Sequence, residues 1–156
     1  MMHSDKRLAI RPAALEWLGE ALKLHEVLDE KSGLEAALES LPAITLEAWP
    51  AGQEILSEGE RSEDFFVVYT GRVSVWRCRG QAGPRKLGTL KPGDFFGEIG
   101  FLLKAARSAS VRAETDVAVF RFPAAEFEVV LRKHKSLDRW VHAVACKRLS
   151  RLFRGD

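Results

Sequence analysis

The pattern of apolar and polar positions changes character twice along the chain. After Pro12, the residues Leu15, Leu18 and Leu22 fall on one stripe at helical spacing, with Trp17, Ala21, Leu24 and Leu28 beside it. Pro12 suits the first helical turn, where its missing N–H leaves no bond unmade. So wide an apolar face must be covered, either by the rest of this chain or by a partner or second copy. Ser32-Gly33-Leu34-Glu35 has the form of a capping box, which stops one helix and predicts another running to about Leu41, ahead of Pro42.

From Ile44 the period shortens. The segments 44–49, 54–57, 65–70, 72–79, 85–91, 108–113 and 117–122 are short alternating runs, punctuated by Pro50-Ala51-Gly52, Gly59, Gly71, residues 80–84 and Pro92-Gly93. Seven or eight short strands at this spacing predict a sandwich or barrel. The helical period returns at Pro123, through Ala124, Phe127, Val130 and Leu131, and a last helix begins around Ser136. On that helix Leu137, Val141, Val144, Arg148 and Leu152 share one inward stripe, so a cation sits among apolar positions. Trp140, Cys146, Leu149 and Phe153 form a second, outer strip on which a partner helix could pair.

Composition narrows the function. A chain of 156 residues holds one domain and an appendage, and a net charge of +2 from 24 basic and 22 acidic residues creates no field that recruits nucleic acid. The basic run Lys147, Arg148, Arg151 and Arg154 suits the C-terminal end of a helix dipole. Cys78 and Cys146 stand far apart, which is reduced, cytoplasmic usage and not a disulfide framework. The N-terminal segment Met1-Met2-His3-Ser4-Asp5-Lys6-Arg7 leads to neither a signal peptide's apolar core nor a membrane span, so no membrane association is expected. The histidines are His3, His25, His134 and His142; none lies between Ile44 and Phe122, so a metal enzyme built on the barrel would lack its imidazoles. No G-x-S-x-G context surrounds any serine. The expectation is a binding module, not an enzyme, with no catalytic residue, no metal and no cofactor.

The candidate chemistry lies in Phe96-Gly97-Glu98-Ile99-Gly100-Phe101-Leu102-Leu103 and, just beyond, Arg107-Ser108-Ala109-Ser110-Val111. A short helix starting near Gly97 would aim unpaired N–H groups at an anion, and Arg107, nine residues after Glu98, can clamp phosphate oxygens through its planar fork. Glu98 is an acceptor when ionised, which suits a sugar hydroxyl and not a phosphate. A plain salt bridge between Glu98 and Arg107 is the alternative. The glycines and small residues around them favour a ribose phosphate pocket, because they permit close approach and serve packing poorly.

This segment resembles the phosphate-binding cassette of the cyclic nucleotide-binding domain family. The upstream runs Ile55-Leu56-Ser57-Glu58-Gly59, Phe65-Phe66-Val67-Val68 and Gly71-Arg72-Val73-Ser74-Val75 are similar to the family's first signature of spaced glycines. Lys91-Pro92-Gly93-Asp94-Phe95-Phe96 resembles the turn and short strand entering the cassette, and the likeness covers roughly residues 34–153. It implies a mainly β fold with flanking helices: an eight-stranded double-stranded β-helix, jelly-roll-like, with N-terminal helices, a short phosphate-binding helix and C-terminal lid helices. Residues 1–33 would form a helical extension and 34–156 the binding domain. Phe96, Gly97, Glu98, Ile99, Gly100, Arg107, Ser108 and Ala109 would hold the ligand, with Gly100 where the family more often has alanine. Val75, Leu87, Leu90 and Phe95 would line the purine side. Arg148 falls where some bacterial channel members have an arginine that stacks on the purine, with Leu152 beside it.

The resemblance implies a cytosolic receptor for cyclic AMP, or alternatively cyclic GMP, because a hydroxyl such as that of Ser108 occurs with both ligands. Movement of the last helix would carry the signal. A ligand-independent interaction module using the N-terminal Leu/Trp face is the alternative from another class. The family's transcription factors continue into a winged helix-turn-helix; this chain ends at Asp156, so no attached output domain and no DNA binding are expected. The sequence names no downstream protein partner, and a homodimer through the N- or C-terminal helices stays open.

Overall fold

The computed structural model describes residues 6–22, 44–79 and 83–153, apart from the side chain of Phe153. Leu24, Leu28, the capping box at Ser32, the short helix to Leu41 and the boundary between residues 33 and 34 lie outside the described residues. In chain order the elements are β1 (Arg7–Leu8), α1 (Pro12–Ala21), β2 (Thr45–Trp49), β3 (Glu54–Leu56), β4 (Phe65–Thr70), β5 (Val73–Arg77), β6 (Arg85–Leu90) and β7 (Phe95–Phe96). These are followed by α2 (Glu98–Leu103), β8 (Ser110–Ala113), β9 (Val117–Phe122), α3 (Ala124–Lys133) and α4 (Lys135–Phe153).

The strands form two antiparallel sheets, ordered β1-β2-β9-β4-β7 and β3-β8-β5-β6. The expected β-roll is therefore present, its eight strands running from β2 to β9. Strand β1 is an addition at the edge, pairing Arg7 with Glu47 and Leu8 with Leu46. Two residues are too few to show a strand period, which is why the sequence pattern misses it.

Strands β4 and β9 read as nearly unbroken apolar runs because both their faces are buried. Phe66, Val68, Val117 and Val119 point between the two sheets. Phe65, Val67, Phe120 and Phe122 point the other way, into a larger core that the helices cover. There Phe127 of α3 stacks on Phe65 with ring centroids 3.7 Å apart.

The same core takes up α1. Ala14, Leu15, Leu18 and Leu22 are buried in it, and Trp17 sets its ring edge-on to Tyr69 at 4.9 Å. The apolar face of this helix is thus covered by the chain's own roll. An interaction module built on that face would have to expose residues that the fold buries, and the covering partner considered for it is the barrel itself.

Helix α3 follows Pro123, whose fixed φ opens it, and ends at His134 with Arg132 and Lys133 in the last turn. Helix α4 then turns back over the roll. Leu137 and Val141 are buried, as the inward stripe requires. Trp140 belongs with them and not to an outer strip: its ring meets Phe95 edge-on at 5.1 Å. Cys146 is exposed, and Leu149 is partly buried. At the far end, Arg77 of β5 donates from Nη1 to the Leu152 carbonyl at 2.6 Å, tying α4 to the second sheet.

Candidate functional site

A cavity of about 140 Å³ lies where α2 and the end of α4 meet strands β5 and β6. Gly97 ends β7 and starts α2 with φ of +88°, a left-handed conformation that non-glycine residues rarely hold. A Cβ there would lie 2.7 Å from the Asp64 carbonyl oxygen and 3.1 Å from Nη1 of Arg107, so the position has no room for one. The sharp turn at Gly97 brings the first turn of α2, with Glu98, Ile99 and Gly100, to the cavity wall.

Arg107 is only 4% exposed, and its guanidinium is fixed by three hydrogen bonds. It donates from Nε to Ser62 Oγ, from Nη1 to the Gly97 carbonyl and from Nη2 to the Asp64 carbonyl, each at 2.9 Å. An arginine has five N–H groups, so two have no protein partner among the described residues and lie beside the cavity. Burial lowers the pKa of the guanidinium, while Glu60, Asp64 and Glu98 push it back up. A fork held in place this way is pre-organised for an oxyanion. Gly100 leaves room beside it, since a Cβ there would sit 2.9 Å from Nη1 and 3.3 Å from Cδ. This glycine lets the arginine sit close to the helix.

Glu98 is 2% exposed and does not pair with Arg107. Its Oε1 accepts from Nη1 of Arg148 at 2.7 Å, reaching across from α4. The guanidinium of Arg148 lies over the Phe95 ring at 5.3 Å. One oxygen of the carboxylate expected to meet a sugar is thus engaged, and the arginine expected over a base is its partner.

Of the other expected residues, Phe96, Ser108 and Ala109 line the cavity with the α2 residues, and Val75, Leu87, Leu90 and Leu152 close it from the other sides. Phe95 is the exception. Alternation along β7 sends Phe96 to the cavity and Phe95 into the core, where it packs on Phe65 at 5.2 Å. Sequence reasoning missed Ser62 and Asp64, which orient Arg107 from a loop with no recognisable pattern. It also missed Gly88, which pairs in register with Val75 and whose Cβ would meet nothing within 4 Å. An isolated glycine inside a strand was the available signal. Among the described residues no group of three His, Cys, Asp or Glu side chains could hold a metal ion. None of the described helices is long and apolar enough to cross a membrane.

The profile of the cyclic nucleotide-binding domain matches residues 46–134, more than half of the chain. The chain belongs to the cyclic nucleotide-binding domain family. It is 37% identical over 110 residues to a cAMP-dependent protein kinase regulatory subunit of Neurospora crassa, covering 70% of this chain and 26% of that protein. It is 30% identical over 121 residues to a cyclic nucleotide-gated potassium channel of Rhizobium etli, covering 78% of this chain and 32% of the channel. The chain thus spans about a quarter to a third of these relatives. Among solved structures, a cyclic nucleotide-binding domain from Methylobacillus flagellatus superposes with a TM-score of 0.72 at 20% identity, covering 96% of this chain and 83% of that one. The regulatory subunit of a cAMP-independent protein kinase A from Trypanosoma cruzi, bound to guanosine, superposes at 0.70 with 23% identity over 92% of this chain and 50% of that one. At these identities the superpositions speak for the fold.

Proposed function

We propose that this chain is a non-catalytic cytoplasmic receptor domain that binds a cyclic nucleotide, cyclic AMP first, between α2, β5–β6 and α4. The observation that carries this reading is the Arg107 fork, buried, held by three protein acceptors and left with two donors beside a cavity. A cyclic phosphate would accept from those donors, with Ser108 beside it. A ribose hydroxyl would donate to Glu98, and the apolar side chains of Val75, Leu87 and Leu90 would take the purine face. A kinase regulatory subunit named for cAMP dependence among the relatives supports the choice of ligand. Two free, exposed cysteines are in keeping with a reducing compartment.

Occupancy would be signalled by α4, which both borders the cavity and packs on the core. An aliphatic purine wall does not itself separate adenine from guanine, so cyclic GMP and guanosine belong in the test. Calorimetric titration of the purified chain with cyclic AMP, cyclic GMP, 5′-AMP and guanosine decides the matter. Saturable heat with a cyclic nucleotide and little with 5′-AMP is expected. Absence of heat with either cyclic nucleotide would overturn the assignment.

A further inference from the structure

Helix α4 carries an apolar stripe with one cation on it, and that cation lies where the cavity has its one buried carboxylate. The side chain of Glu98 is 3% exposed and that of Arg148 26%, with 2.7 Å between Oε1 and Nη1. The arginine is backed by the Phe95 ring, which is in turn braced by Trp140, about two turns earlier on the same helix. Arg77 fixes the helix a turn further on through the Leu152 carbonyl. The contact is therefore built into the packing of α4 and is not a chance surface pair.

We propose that Arg148 is an internal competitor for Glu98: it caps the carboxylate in the empty site, and a ribose hydroxyl must displace it to bind. This rests on the nucleotide reading and adds the regulation of that site. Both partners seek the same carboxylate, whose Oε1 the guanidinium already holds. A guanidinium brings charge and a fixed fork, whereas a hydroxyl brings one neutral donor, so Arg148 opposes binding until the rest of the nucleotide is anchored on Arg107. A ligand shifts a conformational equilibrium only through contacts that differ between its states, and Glu98 supplies such a contact. It bonds α4 when the site is empty and the sugar when it is full. A 2′-deoxy ligand has no hydroxyl to exchange for the guanidinium, so it would enter without uncapping Glu98 and without releasing the helix.

Two substitutions break the same bond from opposite ends. Arg148→Met keeps the aliphatic stem over Phe95, and Glu98→Gln keeps the shape of the acceptor. With no ligand present, hydrogen exchange across residues 135–153 should speed by about tenfold in each variant, equivalent to about 1.4 kcal/mol, with little further change in the double variant. Unchanged exchange in both, or fully additive effects, would overturn the capping contact whether or not any nucleotide binds. In the ligand arm, Arg148→Met should bind cyclic AMP several-fold more tightly than the unaltered chain and bind 2′-deoxy cyclic AMP equally well. Weaker binding of cyclic AMP would show Arg148 to be a ligand contact, and an equal gain for both ligands would show simple occlusion; either sinks the competition. If the unaltered chain binds neither nucleotide, the functional reading fails, and the exchange arm alone decides the contact.

Discussion

Replacing Arg107 by alanine should destabilise the empty protein as well as remove its anion site, because the structure uses the same guanidinium for both. Each hydrogen bond from a charged group contributes about 1.5–3 kcal/mol net, so its three bonds to Ser62, Gly97 and Asp64 represent about 5–9 kcal/mol before offsets. The guanidinium is 4% exposed and its pKa is lowered chiefly by burial, so deleting it recovers a desolvation cost that works against those bonds. Removing one member of a buried charged network costs about 3–5 kcal/mol, and here the groups left behind are two carbonyls and a hydroxyl and not a lone charge. The low end, about 3 kcal/mol, is therefore expected. For a chain of this length it lowers Tm by roughly 6–12 °C, at about 2–4 °C per kcal/mol. Circular dichroism melts of Arg107→Ala without ligand measure this directly, with Arg107→Lys as the control that keeps the charge and loses the fork. In calorimetry the alanine variant should lose roughly two to three and a half decades of nucleotide affinity. A Tm within about 2 °C of the unaltered chain would refute the argument that these three bonds hold the cassette together.

Gly97→Ala should be costly at a position that looks like a surface turn: its φ of +88° and the 2.7 Å approach to the Asp64 carbonyl predict a loss of about 1–3 kcal/mol in denaturant unfolding, with weakened nucleotide binding as Arg107 is pushed aside. Melts at unchanged Tm would show that the turn can relax. Leu18→Ala removes a fully buried side chain from the core shared by α1 and the roll, so unfolding free energy should fall by about 2–5 kcal/mol; a loss under about 1 kcal/mol would mean the helix is not docked. His134 is 5% exposed with Nδ1 lacking a protein partner among the described residues, and burial, with Lys133 second, holds its pKa below the usual value. The unfolded chain then binds the proton more readily than the folded one, so stability is complete above about pH 6.5 and is lost as pH falls toward the depressed pKa. The Tm difference between pH 7 and pH 5 should shrink in His134→Gln; identical pH profiles for the two proteins would exclude the histidine as the cause.

The roll was legible in the sequence because its strands are short, rich in β-branched and aromatic residues, and punctuated by glycines whose conformations the turns require. The phosphate end of the site was legible for a related reason. Gly97, Glu98 and Arg107 lie close in the chain, and the chemistry of an anion clamp is local to one turn and one helix start. What escaped is non-local. Phe95 was placed on the cavity because the run Asp94-Phe95-Phe96 does not say which of two adjacent aromatics faces inward; the register of β7 on β4, Phe66 against Phe96 and Val67 against Phe95, decides it. Trp140 was assigned to an open strip because a helix stripe read as five positions is narrower than the face that α4 buries against Phe95.

Arg148 shows the same limit at the point where it matters for function. Its place on an apolar stripe marked it as unusual, and resemblance to channels suggested a base for it to meet. The partner it has in the folded chain is fifty residues away, on α2, and no periodicity relates the two helices. Only the packing of α4, set by Leu137 and Val141 in the core and by the Arg77 tether at Leu152, brings the guanidinium to the carboxylate. The proposed competition would make a residue read as a ligand contact into one that a ligand must first move. The two assignments predict opposite signs for the same substitution, which is why the affinity of Arg148→Met for cyclic AMP separates them.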